Sequence, residues 1–218
     1  MKKIYLTLIL VCTNLQAQIN IYSHRHYDSD KILFKKFTDQ TGIKINVIKG
    51  SADQLIERLI SEGGNSPADI LFTVDAGRLH RAKVAGILQP IESKILSENI
   101  PPSMRDEDDY WFGLTVRARV LVYSKERVTP DQLSTYEDLA NRKWRGKIAV
   151  RSSSNIYNQS LMASIIASNG SRKALTWAKS IRKNMARAPR GSDRDQARAV
   201  AAGLADVAIM NTLSLIHI

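Results

Sequence analysis

The chain has 218 residues, 44% of them hydrophobic, and its 32 Lys+Arg against 21 Asp+Glu leave a formal net charge of +11. That is enough for one large domain or two smaller ones, while a lone cysteine, Cys12, excludes a disulfide framework. The positive balance would suit nucleic acid. The basic residues, however, are spread along helix-like stretches such as "SIRKNMARAPRGSDRDQAR" with no interleaved aromatics, so a solvated basic surface or an anion-attracting cleft fits better.

The first element reads as a leader. Lys2 and Lys3 form a basic start, residues 4–12 an apolar stretch too short to span a bilayer, and Ala17 a small residue suited to cleavage. Residues 1–17 are therefore expected to be a secretory signal peptide, and the mature protein to be soluble and periplasmic. Val11 is a poor match to the small residue that lipoprotein processing at Cys12 would need.

Strand and helix patterns then alternate. "INIYS" (19–23) is a short apolar strand, and "DKILFKKFTDQTG" a helix with Ile32, Leu33, Phe34 and Phe37 on one stripe and Gly42 at its end. "IKINVIKG" is the next strand. "SADQLIERLISEGG" is a helix whose Ser51 and Gln54 form a capping box, ended by Gly63 and Gly64. "ADILFTVD" reads as a buried strand from its unbroken apolar run, and "AGRLHRAKVAG" as a helix. Residues 98–113, with two prolines and a charge run, form a loop.

Beyond the loop, "LTVRARVLVYS" reads as a long strand and "TPDQLSTYEDLAN" as a helix capped by Thr129 with Pro130 in its first turn. "KIAVRSS" is a strand, "NIYNQSLMASIIASNG" and "SRKALTWAKSIRKNMA" are helices, "SDRDQARAVAAG" is helical again, and "ADVAIMN" is a strand. This rhythm implies βα units with largely parallel sheets in two lobes. Ligands in such folds settle at the carboxyl ends of strands. Both "SHRHY" (23–27) and "RSSSNIY" (151–157) follow strands. His24 is read as a non-ligand.

Four segments in order, "IYSHRHYDSD", "GLTVRARVLVYS", "VRSSSNIYNQS" and "GSDRDQARAVAAGLADVAIMNT", resemble the periplasmic ferric-iron-binding proteins, the solute-receiving subunits of bacterial iron(III) ABC transporters. The resemblance implies an α/β, two-lobe periplasmic binding protein fold of type II. It sets a first lobe at 18–116, a second at 117–212, and a cleft that closes by hinge motion around the metal. It implies His26, Tyr27 and Tyr157 as metal ligands, with Arg117 and Arg25 at an anion such as carbonate or close to the phenolates. The implied cargo is Fe(3+), the implied partner an inner-membrane ABC permease, and the implied state a monomer with no nucleic acid bound. The chemistry agrees. Iron(III) is a hard ion that prefers anionic oxygen, and a tyrosine-based site is poor for zinc or calcium.

The resemblance breaks after Thr212. Where the family continues with two adjacent tyrosines, this sequence has Leu213 and Ser214. Residues 213–218 are therefore expected to be a non-native tail, the first lobe to be incomplete with apolar surface exposed, and iron binding by this chain to be weak. The alternative function is a receptor for another solute, a phosphonate, organic anion or polyamine, on the same fold. No G-x-S-x-G elbow, H-E-x-x-H zinc motif or P-loop occurs, so no enzyme is expected.

Overall fold

The computed structural model describes residues 17–25 and 27–212; the expected leader up to residue 16, His26 and the expected tail 213–218 lie outside the described residues. The chain divides by contacts into two units. The first runs to Val74 and takes in Arg81–Ile87; the second holds Asp75–His80 and continues from Leu88. The sequence reading set its boundary between 116 and 117, whereas this division places residues 88–116 with the second unit.

The first unit holds β1 (Gln18–Ser23), α1 (Asp28–Thr41), β2 (Lys44–Lys49), α2 (Ala52–Glu62) and β3 (Ile70–Phe72). Its sheet is wholly parallel in the order β2-β1-β3, with Ile21 facing Val47 on one side and Ile70 on the other. Gly42 closes α1 in the left-handed region (φ 72°), where a residue without Cβ carries no steric cost. Ser51 and Gln54 form the expected capping box at the start of α2. Tyr22, Leu55 and Leu59 are the small core under the sheet. The apolar stripe read on α1 is mostly not buried: Ile32 and Leu33 are 69% and 60% exposed. Nor is β3 a buried strand, because it lies at the sheet edge and Ile70 is 46% exposed.

Helix α3 (Ala76–Val84) follows, and the second unit goes on through α4 (Lys94–Asn99), β4 (Arg119–Tyr123), β5 (Ile148–Ala149), α5 (Ile156–Asn169), α6 (Ser171–Asn184), α7 (Asp193–Ala201) and β6 (Val207–Asn211). Its sheet order is β4-β6-β5, with β6 antiparallel to β4 and parallel to β5. The centre strand β6 is buried throughout, and its Val207 and Ile209 share a core with Leu139, Trp144, Ile148, Ile165 and Ile181. The α/β class expected from the sequence thus holds in each unit.

Two readings in this unit change. The long strand shortens to Arg119–Tyr123 because β6 offers partners only from Val207 to Asn211; Leu114 and Val116, ahead of that register, are 61% and 68% exposed. The helix read over 129–141 is two 3₁₀ turns, Pro130–Gln132 and Glu137–Ala140, and the Thr129 side chain caps neither. Between them the Asp138 carboxylate accepts the backbone N–H groups of Ser134 (2.7 Å) and Thr135 (2.8 Å), a local bonding pattern that competes with a continuous helix. Among the described residues no helix is long and apolar enough to cross a membrane.

Candidate functional site

In the first unit the chain leaves β1 through Ser23, whose buried Oγ accepts the Arg25 amide at 3.1 Å. The His24 backbone N–H donates to the Phe72 carbonyl at 3.1 Å, and its Nδ1 donates to the Gly50 carbonyl at 3.2 Å. A carbonyl only accepts, so that ring nitrogen carries the proton and is not available to a metal. Arg25 turns back onto the start of α1. Its Nε and Nη2 donate to the two Asp30 oxygens at 3.0 and 2.9 Å, with both side chains at most 10% exposed. Its guanidinium then lies 5.0 Å from the Tyr27 ring centre and 4.7 Å from that of Phe72. Tyr27 is the N-cap residue of α1, extended and half-buried, with its ring held in this stack.

The second unit presents Tyr157 in the first turn of α5. Asn155 caps the helix by accepting the Tyr157 amide at 3.1 Å, which orients the turn that carries the phenol. Three guanidiniums surround the Tyr157 ring: Arg117 at 4.9 Å, Arg151 at 5.6 Å and Arg119 at 5.8 Å. Arg119 is the anchored one. It donates to Asp193 (2.9 Å), to the Asn211 side chain (3.0 Å) and to Asn158 (2.8 Å). Asn158 in turn donates to the carbonyls of Arg151 (2.9 Å) and Ser152 (3.2 Å), tying the β5–α5 loop to the first turn of α5. Asp193, buried at the start of α7, also accepts the Asn211 amide at 2.8 Å and faces Arg151 at 3.5 Å. Arg117, by contrast, makes no ion pair among the described residues.

Of the expected site residues, the structure thus groups Arg25 with Tyr27 in the first unit and Arg117 with Tyr157 in the second. His26 lies outside the described residues. Arg25 is bound to a carboxylate, which fits a residue that orients Tyr27. Arg119, Arg151 and Asp193 went unnoticed in the sequence. A signal existed for the first of them: Arg117 and Arg119 alternate in an extended segment, so they share a face. Of the other described tyrosines, Tyr22 and Tyr136 are tied up in hydrogen bonds. Tyr22 donates to both Glu62 oxygens (2.8 and 2.9 Å), and burial, then the bond to Glu62, push its phenol above the usual range. Tyr136 donates to the Arg119 carbonyl, and burial raises its phenol too. His80 is exposed on α3.

Tyr27 in the first unit and Tyr157 in the second each carry a phenol oxygen, a hard donor type that suits iron(III). No group of three or more His, Cys, Asp or Glu that could hold a metal comes together among the described residues.

A family model described as bacterial extracellular solute-binding protein matches residues 65–215. The iron uptake protein A1 of a Synechocystis strain is 53% identical over 197 residues, 90% of this chain and 55% of that protein. The chain therefore spans little more than half the length of that relative. Among solved structures, the Trichodesmium protein IdiA (FutA), in complex with iron and citrate ligands, superposes with a TM-score of 0.89 and 55% identity, covering 92% of this chain and 64% of that one. A ferric binding protein from Campylobacter jejuni gives a TM-score of 0.83 and 48% identity, covering 89% of this chain and 62% of that one.

Proposed function

The chain belongs to the bacterial extracellular solute-binding protein family, and on that premise we propose that it receives iron(III) in the periplasm and hands it to an inner-membrane ABC permease. The observation that carries this reading is Tyr157, set in the first turn of α5 with three guanidiniums within 5.8 Å of its ring. Positive charge around a phenol balances the anionic oxygen that a bound iron(III) demands.

In this proposal Tyr27 and Tyr157 supply phenolate oxygens to the metal, with His26 as a further ligand. Arg25 acts on Tyr27 through the stack fixed by Asp30. Arg117 is suited to an oxyanion that accompanies the metal, because its guanidinium is not committed to a carboxylate. Carbonate fits that position, as does the citrate named with iron in the Trichodesmium complex. The carrier works as a monomer and catalyses nothing. With Leu213 and Ser214 after Thr212, this chain offers fewer phenolates than a site with a tyrosine pair there, so its iron is held weakly.

A metal-free receptor for a phosphonate or organic anion is the competing reading. It would draw on the start of α5, where Asn155 already takes the Tyr157 amide. The two separate in one experiment: the protein is incubated in turn with iron(III) citrate, zinc and calcium, desalted, and assayed for metal. Iron alone is expected to be retained, at less than one equivalent and stripped by excess citrate. Retention of zinc or calcium in preference to iron contradicts the proposal.

A further inference from the structure

Helix α6 differs in charge pattern from the other described helices that carry cations. In α1 Lys31 pairs with Asp28 and Lys35 with Asp39, in α2 Arg58 pairs with Glu62, in α4 Lys94 with Glu98, and in α7 Arg198 with Asp195. Helix α3 sends Arg81 to Asp53. Helix α6, "SRKALTWAKSIRKN", carries Arg172, Lys173, Lys179, Arg182 and Lys183 and not one carboxylate. All five are exposed, and none makes an ion pair among the described residues.

Their arrangement is held in place by packing. Ala174 and Ile181 are buried in the core of the second unit, and Trp177 donates its indole N–H to the Tyr136 carbonyl at 2.6 Å. With about 100° between successive residues, Arg172, Lys179 and Lys183 line up on the opposite side, flanked by Lys173 and Arg182. Leu175, 52% exposed, sits among them. The far end of the helix adds more charge. Asn184 donates to the Leu139 and Asn141 carbonyls, both at 2.9 Å, which brings the exposed Arg142 and Arg145 close. The carboxylates nearby are engaged: Glu137 by Asn169 at 2.7 Å, and Asp138 by its two backbone amides.

This pattern works against helix stability. Arg172 and Lys173 occupy the first turn, where unpaired N–H groups and the macrodipole favour anions, and no acidic residue stands there. A merely solvated face gains nothing from that placement. The helix is 14 residues long and its cations lie along an outward face, not around a pocket. Such a surface matches an extended anionic plane better than a small anion.

We propose that the exposed face of α6 docks on an anionic phospholipid bilayer, its cations among the headgroup phosphates and Leu175 at the headgroup boundary. Tyr157 is in the first turn of α5, whereas α6 begins after that helix has ended, so the docking face and the metal residues are separate sets. The inference therefore stands whether or not the chain carries iron.

The test is co-sedimentation of the iron-free chain with vesicles of equal parts phosphatidylglycerol and phosphatidylcholine, against vesicles of phosphatidylcholine alone. Binding is expected only to the anionic vesicles, and to be lost in about 0.5 M salt. Replacing Arg172, Lys179 and Lys183 together by Gln is expected to weaken it about a hundredfold, from the usual contribution of each cation near an anionic surface. The exposed control Lys31→Gln, Lys35→Gln, Lys94→Gln removes the same charge and should change binding by no more than about twofold. Failure to bind anionic vesicles, equal losses in the two triple variants, or tighter binding to duplex DNA than to vesicles overturns the proposal.

Discussion

Asp193 joins the elements around Tyr157, and removing its carboxylate should be costly. It is 2% exposed and accepts from Arg119 at 2.9 Å and from the Asn211 amide at 2.8 Å, with Arg151 at 3.5 Å. Asp193→Ala leaves the Arg119 guanidinium buried without its counter-charge, a loss of about 3–5 kcal/mol in comparable buried pairs. The stranded Asn211 N–H belongs to the same network, so its cost lies within that range and is not added to it. On a unit of this size the change corresponds to a fall in Tm on the order of 10 °C. All three tryptophans, Trp111, Trp144 and Trp177, are in the second unit, so their fluorescence during urea unfolding reports on the part that is affected. Replacing the pair together, Arg119→Met with Asp193→Leu, should cost less than Asp193→Ala alone, because no unpaired charge stays buried. A loss below about 1 kcal/mol for Asp193→Ala would refute the view that this ion pair holds β4, β6 and α7 together.

Other expectations follow from the same physics. Burial pushes the Asp206 carboxyl up, but hydrogen bonds from Arg127 (2.7 Å) and Lys147 (3.1 Å), with their charge, outweigh it and leave the group below its ordinary value of 3.8. A depressed folded value means the contribution is fully present above the unfolded value and fades as the pH falls through the folded one. Asp206→Asn should therefore be less stable at neutral pH and closer to the native protein in acid, as read by urea midpoints across that range. Ile32, Leu33 and Val84 of the first unit are 69%, 60% and 74% exposed, so the chain should bind the dye ANS at neutral pH. Ile32→Gln with Leu33→Gln should dim that signal, and unchanged fluorescence would place the dye elsewhere.

Much of this organisation is legible in the residues, for identifiable reasons. The Ser51–Gln54 box, Asn155 ahead of α5 and Gly42 after α1 are local signals, and each element starts or stops where its own chemistry says. Errors came where the outcome depends on distant partners. The length of β4 is set by β6, some 90 residues away, which pairs with it from Arg119 to Tyr123. The unbroken apolar run ending in β3 suggested a buried strand, but a strand's burial depends on its place in the sheet. The 3₁₀ turns around Tyr136 arise because Asp138 bonds backward, which helix periodicity does not register. That Tyr27 and Tyr157 each follow a strand is visible in the sequence. The anchoring of Arg119 by Asp193 and Asn211 needed the sheet register, which sets Arg119 opposite Asn211.

The central proposal rests on tyrosine oxygen binding iron(III), and visible absorption tests it most directly. Adding iron(III) citrate to the chain should raise a weak phenolate-to-iron charge-transfer band that fades on excess citrate. Tyr157→Phe should remove most of that band, and Tyr27→Phe with Tyr157→Phe all of it. A band of undiminished strength in the double variant, or iron retained with no band in the native protein, would contradict the account.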